Sequence, residues 1–122
     1  MNRRPSRELA LKLLYAAEFS GLERFDDADQ DVKNYALKIL DWTKELNKDL
    51  EKDLKIIIKN WSMDRLSKID KILIYMGCAE IKKGEEPAAV VINEMVELAK
   101  QYGEKESASF VNGIIDAWLK MR

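Results

Sequence analysis

The feature that most constrains the fold is a long stretch without helix breakers. From Val32 to Met76 the chain contains neither glycine nor proline. In the first part of this stretch the apolar residues recur every three or four positions, which is typical of one face of an α-helix. They are Val32, Tyr35, Ala36, Ile39, Trp42, Leu46, Leu50, Leu54, Ile57 and Ile58. The pattern predicts either one long helix or two helices with a kink near Asn47.

Glycine, proline and serine mark the ends of the other predicted helices. Pro5 suits a first helical turn and Gly21 a C-terminal cap. Later in the chain Gly84 and Gly103 each end a predicted helix, and Pro87 begins one. The predicted segments are 5–20, a short turn at 64–66, 67–83, 87–103 and 107–120, the last beginning with Ser107 as a cap. Asn112-Gly113 would normally favour a hairpin, but the apolar residues around it keep helical spacing, so we expect helix there.

The length and composition of the chain favour one folded, helix-rich domain. With 122 residues it falls in the range of about 100 to 200 residues per domain, so we expect a single domain over residues 1–122. Apolar residues make up 47% of the chain and only two prolines occur, which argues against disorder. No apolar run of about 18 residues and no apolar leader core is present. The expectation is an all-α protein of the cytoplasm.

Several kinds of chemistry are disfavoured by the residues themselves. Histidine is absent, which removes the commonest general base and most transition-metal sites. The single cysteine, Cys78, lies in an apolar run where a buried structural thiol is expected. Neither a GxGxxG nor a GxxxxGK[ST] phosphate loop occurs, and the spacing of Glu94 and Glu97 is common on helix surfaces. We therefore expect no catalytic residues, no metal site and no cofactor.

The N-terminal segment is basic although the chain as a whole carries a net charge of only -1. Within residues 1–12, Arg3, Arg4, Arg7 and Lys12 face a single acidic residue, Glu8. A basic segment on an acidic body is one way in which a small protein attracts phosphates. Basic first turns are also common without such a role, so this feature alone leaves both interpretations open.

Three segments taken in order resemble the NusB family. They are Arg3 to Tyr15 (RRPSRELALKLLY), Trp61 to Lys71 (WSMDRLSKIDK) and Val91 to Asp116 (VINEMVELAKQYGEKESASFVNGIID). The most specific parts are the INE-x-x-ELAK-x-aromatic-Gly run and the FVNG-x-aliphatic-Asp run that follows it. The resemblance spans nearly the whole chain.

This resemblance implies a fold and a function. The family fold is all-α, with about seven helices in two packed three-helix subdomains. Family members bind the boxA element of nascent ribosomal RNA leaders as single-stranded RNA. They associate with NusE, a small-subunit ribosomal protein, and join the RNA polymerase antitermination complex. Homodimers also occur in the family, and no feature of this sequence decides between monomer and homodimer.

The resemblance also implies roles for individual residues. The residues implied in RNA binding are Arg3, Arg4, Arg7, Lys100, Tyr102, Lys105 and Phe110. The arginines would bind phosphate with bidentate guanidinium forks, while the aromatic rings would stack unpaired bases. Tyr15 and Asp70 are the residues implied in contact with NusE. From the residues alone, Phe110 is equally compatible with helix packing and Tyr15 with the core.

Two other functions remain open at this point. NusB-like domains also form the N-terminal parts of ribosomal RNA cytosine methyltransferases, although this chain carries no methyl-donor glycine loop or catalytic cysteine motif. A helical adapter that binds only proteins is the other alternative, because the basic segment is the only independent sign of RNA binding. Salt dependence separates the two kinds of binding, since phosphate contacts weaken steeply as salt rises.

Overall fold

The computed structural model describes residues 2–15, 28–60 and 66–121, and every regular element within them is an α-helix. The helices are α1 (Arg4–Tyr15), α2 (Gln30–Asn60), α3 (Lys68–Lys83), α4 (Ala88–Tyr102) and α5 (Ser107–Lys120). The prediction of an all-α fold is confirmed for this part of the chain. The described residues form five helices, whereas the resemblance implied about seven. The predicted helical residues 16–20 and 64–65 lie outside the described residues.

The first part of the stretch without glycine or proline lies in one continuous helix, α2, without a break at Asn47. At about 1.5 Å per residue its 31 residues extend roughly 46 Å. Its buried residues follow the predicted stripe at Tyr35, Ala36, Ile39, Thr43, Leu46, Leu50, Leu54 and Ile57. The remaining faces carry many charged residues. None of the described helices has the length and apolarity needed to cross a membrane.

Gly84 and Gly103 end α3 and α4 as expected, and Ser67, predicted as the first residue of α3, is its N-cap. Ser67 precedes α3, and its hydroxyl accepts a hydrogen bond from the backbone N–H of Asp70 at 3.1 Å. Gly84 and Gly103 end α3 and α4, and each donates its backbone N–H to the carbonyl four residues earlier. The turns that position the functional side chains are therefore determined locally.

The expected cap of α5 is one residue away from where the sequence indicated. Glu106 occupies the N-cap position, and Ser107 is the first residue of the helix rather than its cap. The Ser107 hydroxyl accepts a hydrogen bond from the backbone N–H of Glu104 at 2.9 Å. Its side chain therefore satisfies the turn that leads into α5 and not the helix itself.

Helix α3 lies at the centre and contacts each of the other four described helices. Gly77 allows close packing there, because a Cβ atom at this position would lie 2.8 Å from Cδ1 of Ile115 and 3.0 Å from Cγ of Met95. Trp118 is 1% exposed and lies in the core. Cys78 is also buried. The described helices share one apolar core to which all five contribute.

Candidate nucleic-acid interface

The first turn of α1 presents two arginines at the protein surface. Arg4 is exposed, with 49% of its side chain accessible, and Arg3 is half-buried. The guanidinium carbon of Arg3 lies 4.0 Å from the centre of the Tyr35 ring, which orients the side chain through a cation–π contact. The side-chain oxygen of Asn2 already accepts the backbone N–H of Arg4 at 3.0 Å. Phosphate recognition at this helix start would therefore depend on the arginine side chains.

Arg7 differs from the other two arginines because its side chain is only 2% exposed. Its Nε and Nη2 donate to the two carboxylate oxygens of Glu80 at 2.8 and 2.6 Å. Nη2 also contacts Glu86, and Nη1 lies 3.5 Å from Glu94. The resemblance implied that Arg7 binds RNA, but in this structure its fork is occupied inside the protein. We therefore treat Arg7 as a structural anchor and leave it out of the proposed RNA contacts.

Arg4 and Arg7 together with Glu80, Glu86 and Glu94 form what we call the arginine–carboxylate cluster. Glu80 is fully buried and also accepts a hydrogen bond from the Tyr35 hydroxyl at 2.7 Å. Burial on its own would lower the pKa of Arg7, but the hydrogen bonds and charges of Glu80 and Glu86 outweigh it and raise that pKa. The guanidinium stays charged, and the cluster fastens α1 to α3 and to the start of α4.

We predict that the protein loses stability in alkali, because Tyr35 donates a hydrogen bond to Glu80 of this cluster. Burial, followed by the hydrogen bond and charge of Glu80, raises the pKa of Tyr35 above its ordinary value of 10.0. The unfolded chain then loses the Tyr35 proton at lower pH than the folded chain. The contribution of Tyr35 to the free energy of unfolding is therefore complete below about pH 10 and falls as the pH rises further. Thermal unfolding between pH 8 and 11 measures this decline. Tyr35→Phe should flatten it, and an equally steep decline in that variant would contradict the assignment.

Two contacts between long side chains connect α1 and α4 in the same order along both helices. Arg4 pairs with Glu94 at 2.5 Å, and the Lys12 ammonium lies 5.8 Å from the centre of the Tyr102 ring. Both contacts join residues 90 positions apart, and they are separated by eight residues along each helix. At about 1.5 Å per residue, the two contacts are roughly 12 Å apart. We call the surface between these two contacts, from Arg4–Glu94 to Lys12–Tyr102, the α1–α4 seam.

The predicted RNA-binding residues near the end of α4 have unequal access to solvent. Tyr102 is half-buried, and its pKa is raised by burial and by the hydrogen bond and charge of Glu8. Lys100 and Lys105 are exposed, and Lys100 pairs with Glu97 at 3.5 Å. Phe110 is 8% exposed and packs in the apolar core. The packing role that the sequence left open is therefore the one observed for Phe110 in this structure.

The two residues implied in NusE contact are brought to one end of the molecule. The Lys68 ammonium lies 5.5 Å from the centre of the half-buried Tyr15 ring, so the end of α1 meets the start of α3. Asp70 lies in the first turn of α3 and is 6% exposed. Its Oδ1 atom has no hydrogen-bond partner within the described part of the chain. Buried carboxylate oxygens usually accept a hydrogen bond, so this atom needs a donor that the described residues do not supply.

Sequence reasoning missed the roles of Tyr35, Glu80 and Lys12. A signal for Glu80 was present, because it stands within the apolar run of α3 and Arg7 precedes the buried Leu11 by one helical turn. A charged residue on each of two buried faces indicates an internal ion pair. Nothing in the sequence indicated that Lys12 would lie beside Tyr102.

Comparison with known proteins gives consistent matches over nearly the whole chain. The model of the NusB family matches residues 4–120. The transcription antitermination protein NusB of Methylacidiphilum infernorum is 38% identical over 134 residues, covering 98% of this chain and 92% of that protein. The protein of the same name from Clostridium novyi is 36% identical over 132 residues and covers 98% and 99%.

Solved structures give the same result at the level of the fold. NusB of T. maritima has a TM-score of 0.81 at 30% identity, covering 98% of this chain and 92% of that one. A chain from a crystal structure of the antitermination factors NusB and NusE in complex with double-stranded RNA also has a TM-score of 0.81. That match is 26% identical and covers 98% of this chain and 97% of the other.

Proposed function

The chain belongs to the NusB family, and from this premise we propose that it binds boxA RNA together with NusE through the surfaces described above. It is a transcription antitermination factor and not an enzyme. The partners we propose are boxA RNA, NusE and, through them, the RNA polymerase antitermination complex. We further propose that residues 1–122 act as one NusB-like domain in the cytoplasm, with the helices arranged in two three-helix subdomains.

The observation that carries the RNA-binding part of the proposal is the α1–α4 seam. Arg4 lies at its beginning, next in sequence to Arg3, and Tyr102 lies near its other end, about 12 Å away by the helical rise. Exposed Lys100 and Lys105 add positive charge near the end of α4. Phosphates can bind the arginine forks while an unpaired base stacks on the partly accessible tyrosine ring. Lys12 joins this set because of its position above Tyr102.

The test of RNA binding is a fluorescence anisotropy titration with three labelled RNAs: single-stranded boxA, a scrambled single strand, and a duplex of the same length. Each is titrated at two salt concentrations. We expect the chain to prefer the boxA strand and to lose affinity steeply with salt. Equal affinity for all three RNAs, or binding that does not respond to salt, would contradict the proposal. It would favour the adapter that binds only proteins.

We assign NusE contact to the end of the molecule formed by Tyr15 and Asp70. The positive end of the α3 dipole stabilises the Asp70 carboxylate, but its Oδ1 atom lacks a hydrogen-bond partner within the described residues. A basic group of NusE would supply this partner. The half-buried Tyr15 ring, close to Lys68, would provide apolar contact area beside it.

Asp70→Asn tests this assignment. A hydrogen bond to a charged group is stronger than a neutral one by about 1 kcal/mol. We therefore expect NusE affinity, measured by calorimetry, to fall about fivefold. Asp116→Asn, an exposed site on α5 with the same change of charge, should leave the affinity unchanged. If both variants bind NusE equally well, the contact surface lies elsewhere. Melting curves should show no loss of stability in Asp70→Asn, since the substitution removes a buried charge.

A further inference from the structure

The Arg4 guanidinium already holds a carboxylate in the way it would hold a phosphate. Its Nη2 donates to one oxygen of Glu94 at 2.5 Å, and its Nε lies 3.4 Å from the other. This is the bidentate fork geometry with which arginine also binds phosphate. The hydrogen bond and charge of Glu94 raise the pKa of Arg4. An RNA phosphate that approaches this fork must therefore compete with Glu94.

The two partners of this ion pair are unequally exposed. The side chain of Arg4 is 49% accessible, whereas that of Glu94 is 12% accessible. Arg4 begins α1 and can turn outward to solvent, but Glu94 is held on α4 against the protein. The arginine is thus the member that is able to change partners.

Glu94 would keep a cation after Arg4 leaves. Its other oxygen lies 3.5 Å from Nη1 of Arg7, which is 2% exposed and fixed by the two hydrogen bonds to Glu80. Release of Arg4 consequently does not leave a partly buried carboxylate without a positive neighbour, which would otherwise oppose the exchange. The cluster contains one fixed arginine and one exchangeable arginine around the same carboxylate.

We propose that Glu94 is an internal competitor of RNA phosphate for Arg4 and thereby sets the RNA affinity of this chain. RNA binding exchanges the Arg4–Glu94 pair for an Arg4–phosphate pair, while Glu94 stays beside Arg7. The inference rests on the RNA-binding function proposed above and assigns to Glu94 a role in affinity without any contact with RNA.

The test is Glu94→Gln, which keeps a side chain of the same shape but removes the competing charge. Exposed ion pairs are weak, so we expect RNA affinity to rise about two- to fivefold at low salt. Glu51→Gln is the matched control, because it removes an equally charged side chain from the exposed face of α2, where Glu51 pairs with Lys55. The control should leave RNA affinity unchanged. Circular dichroism and thermal unfolding establish that both variants fold.

A double-mutant cycle with Arg4→Gln identifies the mechanism. If the exchange operates, Glu94→Gln has no effect on RNA affinity once Arg4 is replaced, since there is no fork left to release. An equal gain with and without Arg4 would overturn the inference and indicate a general charge effect. If RNA binding depends on Arg4 but Glu94→Gln leaves it unchanged, this inference alone is wrong. If the native chain has no preference for boxA RNA, the proposed function fails as well.

Discussion

Replacing Arg7 with methionine is expected to lower the free energy of unfolding by about 3 to 5 kcal/mol, the cost of leaving a buried charge unpaired. The carboxylate left behind is that of Glu80, which is fully buried and accepts two hydrogen bonds from Arg7. Only the Tyr35 hydroxyl would then remain as a donor to it among the contacts described above. Urea unfolding followed by circular dichroism measures the loss.

Two further variants separate the unpaired charge from a simple loss of packing. Arg7→Met combined with Glu80→Met removes both charges, and we expect it to recover most of the lost stability, since an ion pair replaced by apolar side chains is often neutral. Arg4→Met removes the exposed arginine of the same cluster and should hardly change the unfolding curve. A large effect of Arg4→Met, or a small effect of Arg7→Met, would contradict the division of the cluster into a fixed and an exchangeable arginine.

Replacing Arg3 and Arg4 together with alanine is expected to weaken boxA RNA binding more than tenfold at low salt. The Arg4 guanidinium lies on Glu94 at the start of the α1–α4 seam, and that of Arg3 lies over the Tyr35 ring of α2. Each is assigned one phosphate, and a charge-assisted hydrogen bond to phosphate is stronger than a neutral one. The loss of two such contacts should therefore dominate the change in RNA affinity.

The salt dependence gives a second and independent readout of the same variant. For single-stranded RNA, each phosphate contact contributes about 0.7 to the slope of log K against log salt. Loss of two contacts should make the slope shallower by about 1.4. Lys48→Ala with Lys52→Ala removes the same charge from exposed positions of α2 and should leave the slope unchanged. If this control weakens binding as much as the arginine variant does, RNA binding is governed by overall charge and not by the seam.

Much of the fold could be predicted because its determinants are local in the sequence. The helical spacing of apolar residues from Val32 to Ile58 predicted the long helix α2, and Gly84, Pro87 and Gly103 marked ends of α3 and α4. The alternative with two helices stayed open because charged residues around Asn47 are compatible with either. The cap of α5 was placed one residue too late, since Ser107 is also suited to satisfy the preceding turn.

The candidate site could be predicted only in part. The basic segment gave the number of arginines at the start of α1 but not their directions, and one helical turn separates exposed Arg4 from buried Arg7. The carboxylates that bind them lie more than 70 residues away along the chain, on α3, on α4 and between them. Such contacts depend on how the helices pack, which periodicity does not give. For Phe110, helical spacing indicated a buried face, while its proposed stacking rested on the resemblance.

The most direct test of joint binding to boxA RNA and NusE is to titrate labelled boxA RNA with this chain in the presence and in the absence of saturating NusE. Tyr15 and Arg4 lie at opposite ends of α1, so we expect RNA and NusE to bind the same molecule at once. We expect NusE to tighten boxA binding, and RNA to tighten NusE binding by the same factor. Unchanged RNA affinity with NusE present, or competition between the two partners, would contradict this expectation.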